Sequence, residues 1–415
     1  MNKSANKGLC SMRRIIQTAA ILLALGTGVA AQDFGVIARV DPVASQIKDG
    51  WFGKSTVALH LSQGVPFRVF HLDDPARLVV DFKEADWTGV SASDVLEAGG
   101  RISAVRFGSF QAGWSRMVLD LSEPMLPFEI GMPVDNTTGQ AVLKIALKKA
   151  TEDEFAKNAG TPPNANWAPE QAKKPVTKSQ DDTFLVMIDP GHGGIDPGAV
   201  REGVNEKDLM LTLSFGLAEA LVRTGEAQAM LTRNDDSFVS LPRRVSLAHQ
   251  AGADLFISLH ADALSNGQAQ GATIYTLSDE ASDAASAQLA SQHNRADIIA
   301  GVDLTGSDDQ VANVLIDLAR QETSPRSEAL ASVFIEMIEA AGAPLNKRRQ
   351  RQAGFSVLKS ADMPSVLIEV GFLSNPRDRA NLRDPVWRDL MISALVDAIL
   401  AWRADDLATR PLVRQ

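Results

Sequence analysis

The chain has 415 residues, of which 45% are hydrophobic and 22% are charged, and it contains a single cysteine. This composition is that of a globular protein and the length predicts about two domains, which excludes a fibrous or mostly disordered chain. The net charge of −10 becomes −14 without the four cations of the first 14 residues. Such an acidic protein is a poor partner for nucleic acid or for an anionic membrane surface.

The first 31 residues have the pattern of an export signal. A basic stretch ending at Arg13 and Arg14 precedes an apolar run over residues 15–25, and small residues follow as far as Ala31. Because this run is shorter than the ~20 residues of a membrane-spanning helix, we expect a signal peptide cleaved after Ala31 rather than an anchor. The arginine pair is compatible with twin-arginine export. No other segment is long and apolar enough to span a membrane.

The cysteine usage limits the metal chemistry of the exported chain. Cys10 precedes the apolar run and leaves with the signal, so no cysteine remains after cleavage. An exported protein without thiols must hold any metal ion with histidine and carboxylate side chains.

Residues 34–149 predict a small all-β sandwich domain, because short segments of alternating hydrophobicity are separated by turn residues. The predicted strands are residues 56–61, 67–72, 78–82, 102–107, 117–121 and 142–147. Residues 150–182 are rich in proline and polar residues and predict a solvated linker. We interpret His60 and His71 as structural or surface histidines, with no role as ligands.

Residues 183–405 predict an α/β domain with a single, mostly parallel sheet flanked by helices, because apolar strands alternate with helical patterns. The predicted strands are residues 184–189, 227–232, 255–260, 272–276, 355–358 and 366–370. The predicted helices of this alternation are residues 206–223, 241–250 and 384–403. Between residues 278 and 341 the pattern indicates a helical insertion without strands, with helices over residues 279–299 and 308–322 and a break at Gly301.

Four polar residues are expected to converge at one edge of this sheet. His192, His260 and Glu369 follow or end predicted strands, and the functional crevice of an open α/β sheet lies at the carboxyl ends of its strands. Glu206 opens the first helix on the same edge. Two histidines and one carboxylate form a catalytic zinc set, and a further carboxylate can transfer the proton of a metal-activated water.

Each of these residues also has an ordinary structural interpretation. A single histidine at a strand end is more often part of a hydrogen-bonded framework, and a glutamate at a helix start is favourable to the helix dipole. Glu202, four residues earlier, competes with Glu206 as the carboxylate ligand. The case for a site comes from the combination and from matched positions at the strand ends.

Four ordered motifs in this region resemble the zinc-dependent N-acetylmuramoyl-L-alanine amidases. They are VMIDPGHGG at residues 186–194 followed by Asp196, Gly198 and Ala199, then Glu206 with Lys207, SLHAD at residues 258–262, and EVGFLSN at residues 369–375. The resemblance implies zinc binding by His192, Glu206 and His260, with Glu369 as the catalytic acid and base. It selects Glu206 over Glu202 because the family pairs its ligand with a following lysine. It also implies hydrolysis of the amide between N-acetylmuramic acid and L-alanine of the stem peptide.

The front domain is similar to the AMIN domain, a β-sheet targeting module found ahead of such amidases in Gram-negative bacteria. The similarity is carried by FRVFHLDDPARLVVDF at residues 67–82. It implies peptidoglycan binding, recruitment to the division site and a periplasmic location.

The helical insertion, about residues 278–320, lies where cell-division members of the family carry a helix that covers the zinc site. The resemblance therefore implies an autoinhibited enzyme that a LytM-type activator releases. Gln288, Gln292 and His293 lie on the predicted helix, and His293 is the strongest metal ligand among them. We expect His293 to be an exposed helix residue, with a blocking ligand as the alternative.

Two questions stay open at the level of sequence. The basic run at residues 347–351 predicts a solvated loop, and the alternative is that one arginine meets carboxylates of the stem peptide. For the whole protein, the alternatives to an amidase are a zinc peptidase acting within the stem peptide and a non-catalytic peptidoglycan-binding scaffold.

Overall fold

The computed structural model describes residues 37–413, except positions 84, 98, 112 and 136 and the stretches 163–182, 265–268, 301–312 and 361–362. The predicted signal peptide, most of the predicted linker and the predicted break at Gly301 therefore lie outside the described residues. Both domains belong to one compact unit that begins at Ile37. No helix within the described ranges is long and apolar enough to cross a membrane.

The front domain is a sandwich of two sheets, as the sequence predicted, and both are antiparallel except for the short β1–β5 pair. The first sheet has the order β5-β1-β2-β9-β8 and the second has the order β3-β4-β7-β6. Its strands are β1 (Ala38–Asp49), β2 (Lys54–Leu61), β3 (Phe67–Leu72), β4 (Arg77–Lys83), β5 (Ala85–Asp86), β6 (Ile102–Gln111), β7 (Trp114–Leu121), β8 (Met125–Gly131) and β9 (Ala141–Lys149), with a short helix α1 (Ala92–Val95) before β6.

Strands β1 and β8 were missed because both depart from simple alternation. The pairing of β1 with β2 is interrupted by a bulge between Asp41 and Gln46. Strand β8 is a sheet edge that contains Pro127 and leaves Phe128 and Ile130 exposed. Proline and a bulge are typical of an edge strand, and both obscure the period of two.

The first part of the predicted linker belongs to the front domain. Residues 152–157 form helix α2 (Glu152–Lys157), which begins with a capping box between Thr151 and Glu154. Phe155 of this helix is fully buried in the core of the sandwich, and its carbonyl accepts a hydrogen bond from His71. His71 is thus a structural histidine.

The second domain has a six-stranded sheet of order β13-β10-β14-β17-β15-β16, in which only the β15–β17 pair is antiparallel. This confirms the mostly parallel sheet. Its strands are β10 (Phe184–Pro190), β13 (Ala227–Leu231), β14 (Leu255–His260), β15 (Ala272–Leu277), β16 (Leu345–Ala353) and β17 (Ser365–Glu369), while β11 (Val200–Arg201) and β12 (Val204–Asn205) form a separate hairpin.

Helices cover both faces of this sheet. They are α3 (Glu206–Thr224), α4 (Leu241–Ala251), α5 (Ala284–Asn294), α6 (Ala296–Ile299), α7 (Asn313–Ala340), α8 (Pro376–Arg383) and α9 (Pro385–Val413). The sheet core packs against α3, α7 and α9, with Leu217, Phe334 and Leu395 fully buried.

The sequence prediction was wrong about the last edge of the sheet. The basic run at residues 347–351, predicted as a loop, forms edge strand β16, whereas residues 355–358, predicted as a strand, contain a 3-10 turn over Ser356–Leu358. Charged residues are common on edge strands because they prevent pairing with other chains. The apolar residues 355–358 are buried beneath helix α5 and need no partner strand.

Candidate metal centre

The strand register brings the predicted residues to one edge of the sheet. His260 and Glu369 end neighbouring strands β14 and β17 and are directly paired in register. Strand β10 lies on the other side of β14, with Pro190 opposite Leu259, so the loop that follows β10 carries His192 over the same edge. Glu206 is the first residue of α3, and the two backbone amides of Ala199 and Ala261 donate to its carboxylate.

Three of the predicted side chains place their donor atoms close together. Glu206 Oε1 lies 3.2 Å from His192 Nε2 and 3.0 Å from His260 Nδ1. Tetrahedral zinc with bonds of ~2.0–2.1 Å separates its ligand atoms by roughly 3.3 Å, so these spacings fit such an ion. The His192 Nε2 atom is buried and makes no hydrogen bond, which leaves it free to be a ligand.

Glu202 lies away from this group. Its side chain is 75% exposed and forms an ion pair with Arg379. Glu206, in contrast, is fully buried between the two histidines. The geometry therefore places Glu206, and not Glu202, beside His192 and His260.

The orientation of His192 is fixed by a neighbouring carboxylate. The Nδ1 atom of His192 lies 2.8 Å from Asp196 Oδ2, and the backbone amide of Gly198 donates to the other oxygen of Asp196. A proton on Nδ1 leaves Nε2 with its lone pair directed at the site, an arrangement common around metal ligands. Sequence analysis noted Asp196 only as part of a motif.

Two glycines are required by close approach to the rings of His260 and His192. A Cβ atom on Gly191 would lie 2.3 Å from His260 Cε1, and one on Gly198 would lie 2.6 Å from His192 Cδ2. Gly198 also has a φ of +66°, a conformation that L side chains rarely adopt. Any side chain at either position would displace a histidine.

Buried arginines hold the loop after β10 from behind. Arg244 donates to Asp189 Oδ1 and to the carbonyl of His192, and Arg233 donates to the carbonyls of Pro190 and Gly191. Neither arginine was predicted to belong to the site. Arg233 follows the end of β13 and could have been noticed by the strand-end rule, whereas Arg244, on α4, has no such signal.

The ionisation of His192, Glu206 and His260 follows from burial and from the charges of neighbouring groups. Burial lowers the pKa of His192, but the carboxylates of Asp196 and Glu206 outweigh it and hold that pKa well above its usual value. Burial raises the pKa of Glu206, yet the two histidines hold it well below the usual range. Burial and the neighbouring His293 and His192 lower the pKa of His260 to about 4, so His260 is neutral near neutrality.

Glu369 is a fully buried carboxyl group beside the histidines. Burial, together with the charges of Asp262 and Glu206, holds its pKa well above the usual range. Its Oε2 atom accepts from the backbone amide of Asp262, while Oε1 is buried without a hydrogen bond. A carboxyl group that is raised in pKa and free on one oxygen is suited to exchange a proton with a neighbouring water.

His293 also lies in this centre, and the expectation that it would be an exposed helix residue was wrong. Helix α5 places it at 5% exposure, 3.2 Å from Asp262 Oδ2 and 3.6 Å from Glu369 Oε1. Its ring centroid is 4.1 Å from that of His260. His192, His260 and His293 each offer a ring nitrogen within 4.8 Å of the others, a spacing that can hold a metal ion.

Helix α5 leaves little space above the histidines. The cavity lined by His192, His260 and His293 has a volume of about 20 Å³. That is room for about one water molecule. A larger molecule does not fit in this cavity.

The sequence profile described as N-acetylmuramoyl-L-alanine amidase matches residues 186–401, slightly more than half of the chain. The chain belongs to the N-acetylmuramoyl-L-alanine amidase family. A second profile, that of the AMIN domain, matches residues 48–142. The protein is therefore a hydrolase that cleaves the amide between N-acetylmuramic acid and L-alanine in peptidoglycan, and the alternatives of a stem-peptide peptidase and a non-catalytic scaffold are set aside.

Individual relatives are N-acetylmuramoyl-L-alanine amidases as well. The amidase AmiA of Salmonella typhimurium is 39% identical over 231 residues, which cover 55% of this chain and 79% of AmiA. The amidase AmiC of Escherichia coli is 28% identical over 425 residues, covering 97% of this chain and 98% of AmiC. Among solved structures, the catalytic domain of the amidase CwlV from Bacillus (Paenibacillus) polymyxa aligns with a TM-score of 0.40 at 25% identity, covering 54% of this chain and 99% of that domain.

Proposed function

We propose that His192, Glu206 and His260 bind the zinc ion of this amidase and that Glu369 is its catalytic acid and base. The observation that carries this proposal is the convergence of two imidazole nitrogens, at 3.0 and 3.2 Å, on one buried carboxylate oxygen of Glu206. The donor set of two imidazoles and one carboxylate is typical of catalytic zinc and leaves one position for water or substrate.

Each residue around the ion has a separate role in the reaction. Zinc, when bound, supplies the Lewis acidity that activates water and polarises the amide carbonyl of the substrate. Asp196 keeps His192 in the tautomer that directs Nε2 to the ion. Glu369 accepts the proton of the attacking water on its free Oε1 atom and returns it to the leaving amine of L-alanine. The backbone amide of Asp262 holds the other oxygen of Glu369 in place during this transfer.

The resting enzyme is covered by the lid segment, which we define as residues 284–300 and which includes α5 and α6. His293 takes the fourth zinc position in place of water, a role for which family members can use a glutamate. The proposal is supported by the burial of His293 among the ligands and by the small size of the remaining cavity. Activation requires that a partner, by analogy with the family a LytM-type protein, displaces this segment.

Cellular placement follows from the domains. We propose that residues 1–31 are a cleaved export signal, by the twin-arginine or the general route, and that the enzyme acts in the periplasm. The AMIN domain then binds peptidoglycan and brings the enzyme to the division site, where it splits the wall between daughter cells. The part of the predicted linker that follows α2 joins the two domains.

Zinc content separates the two candidate carboxylates. Glu206→Gln removes the anionic ligand, so we expect the purified variant to lose most of its zinc. The matched control Glu202→Gln lies four residues away on an exposed side chain and is expected to retain one zinc per chain. Atomic absorption on both dialysed proteins, with circular dichroism to verify folding, gives the comparison. Full zinc occupancy in Glu206→Gln, or loss of zinc in Glu202→Gln alone, would contradict the ligand assignment.

A further inference from the structure

The second sheet of the AMIN domain carries buried apolar residues on both faces. In strands β4 and β7, Leu78, Val80, Met117 and Leu119 face the core of the sandwich, whereas Val79 and Val118 face the other way. Antiparallel sheets of small domains commonly leave one face to solvent, so the burial of this outer face requires a partner. The partner is the amidase domain, because this face forms a cluster with Ile195, Phe238 and Ala300.

Two buried arginines of the same sheet bind the end of the lid segment. Arg77 Nη1 donates to the carbonyl of Ile298 at 3.0 Å, and Arg116 Nη1 donates to the carbonyl of Ala300 at 3.1 Å. The arginines are 1% and 3% exposed, and Arg116 is held by a bidentate ion pair with Asp81. Carbonyls at the end of a helix lack intrahelical partners, and cations satisfy them well.

Strand β6 of the AMIN domain touches the loop that carries His192. The backbone amide of Ile195 donates to the carbonyl of Ser109 at 2.9 Å, and Ile195 lies between His192 and Asp196. Gly108 makes this approach possible, since a Cβ atom there would lie 2.9 Å from Ile195 Cα. Phe110 stacks on Phe238 beside it, with 5.9 Å between ring centroids.

The lid segment is held at both ends. At its beginning, Asp283 forms ion pairs with Arg348 and Arg351 of strand β16. At its end, the AMIN arginines hold the carbonyls of Ile298 and Ala300, five and seven residues after His293. An AMIN domain that moved away would leave two carbonyls of the lid segment without these donors and would uncover Ala300.

We propose that the AMIN domain is a clamp on the lid segment, so that docking of its second sheet on the amidase domain and closure of the zinc site are coupled. This proposal rests on the proposed role of the lid segment as a cover. It assigns to the AMIN domain a second surface, formed by the outer face of β3, β4, β6 and β7. The partners of this surface are the lid segment and the loop that carries His192, both in the same chain.

A wedge in the interface tests this clamp in the full-length zinc enzyme. Gly108→Val adds a side chain against Ile195, and Phe238→Ala removes the apolar contact from the opposite side. Gly131→Val is the matched control, because a Cβ atom at Gly131 meets no atom within 4 Å. Hydrogen–deuterium exchange of α5 is the readout, and unchanged protection of β7 and β14 verifies that both domains remain folded.

We expect both interface variants to exchange the amides of α5 at least about tenfold faster than the wild type, because a held segment opens locally once its contacts are lost. The control should exchange at the wild-type rate. Wild-type protection of α5 in both interface variants would overturn the clamp.

Hydrolysis of peptidoglycan by the same variants separates the clamp from the lid proposal. Faster exchange of α5 with no gain in hydrolysis would support the clamp and contradict the lid as a cover. A gain in hydrolysis for His293→Ala, with unchanged α5 exchange in both interface variants, would support the cover and contradict the clamp.

Discussion

Glu369 illustrates how one carboxyl group differs from its neighbours through its surroundings. Glu206 and Glu369 are both fully buried, but Glu206 faces two histidines, which keep its pKa low. Burial raises the pKa of Glu369, and the charges of Asp262 and Glu206 raise it further. The first is suited to remain an anionic ligand, and the second is suited to exchange a proton with water.

Replacing Glu369 should therefore remove catalysis without removing the metal. Glu369→Gln keeps the acceptor for the Asp262 amide but cannot take up a proton, and we expect hydrolysis of purified sacculi to fall by ~10²–10⁴-fold. Release of soluble fragments is the measurement, with the zinc content of the same preparation as its control. Activity within a few fold of the wild type at full zinc occupancy would rule out this role for Glu369.

The sequence was informative about these residues to different degrees. The convergence of His192, His260 and Glu369 could be predicted because each ends or follows a buried strand, and the carboxyl ends of such strands meet at one edge of the sheet. Glu206 needed a motif to separate it from Glu202, since both lie near the helix start. The burial of His293 could not be predicted, because the pattern of a short, mostly polar helix does not define which side faces the protein.

At the scale of elements, the conformation of the loop after β10 requires free space next to its backbone as well as contacts to its polar groups. Gly191 has room for no side chain next to His260, and the arginines 233 and 244 bind successive carbonyls of this loop. These contacts fix the loop before any metal binds. The position of His192 depends on the conformation of this loop.

Gly191→Ala tests this dependence. The added methyl group meets the His260 ring, so His260 must move and the affinity for zinc should fall by about 10–100-fold, as for other changes that disturb ligand orientation. Competition with a chromophoric chelator measures the affinity, and Gly131→Ala, in open space on β8, serves as the control. Equal affinities of the two variants would show that the loop adapts freely.

At this scale, strands were predicted correctly where an apolar strand pattern coincided with burial in a core. Strands β3 and β14 were predicted to the residue because both are bounded by turns and fill a core. The edge strands β8 and β16 were missed, since one carries proline and exposed apolar residues and the other carries consecutive charges. The neighbour of β16 in the sheet, β15, is moreover distant in sequence and leaves no local signal.

At the scale of the whole molecule, the contact between the domains was the least predictable feature. The two-domain organisation was apparent from the change in strand and helix patterns, but the outer face of the β3-β4-β7-β6 sheet gave no sign of its partner. Arg77 and Arg116 lie at or near the starts of two predicted strands and were not singled out, and their carbonyl partners lie 221 and 184 positions away.

The number of imidazoles bound to zinc in the resting enzyme tests the central claim most directly. X-ray absorption at the zinc edge of the full-length wild type should show three imidazole ligands and one carboxylate at ~2.0–2.2 Å. His293→Ala should show two imidazoles and gain about tenfold in basal hydrolysis of sacculi, since a factor of ten corresponds to only ~1.4 kcal/mol of lost closure. Gln292→Ala, at the exposed neighbouring position of α5, should match the wild type in both measurements. Two imidazoles in the wild type and an unchanged spectrum in His293→Ala would contradict the account of a zinc amidase closed by its own histidine.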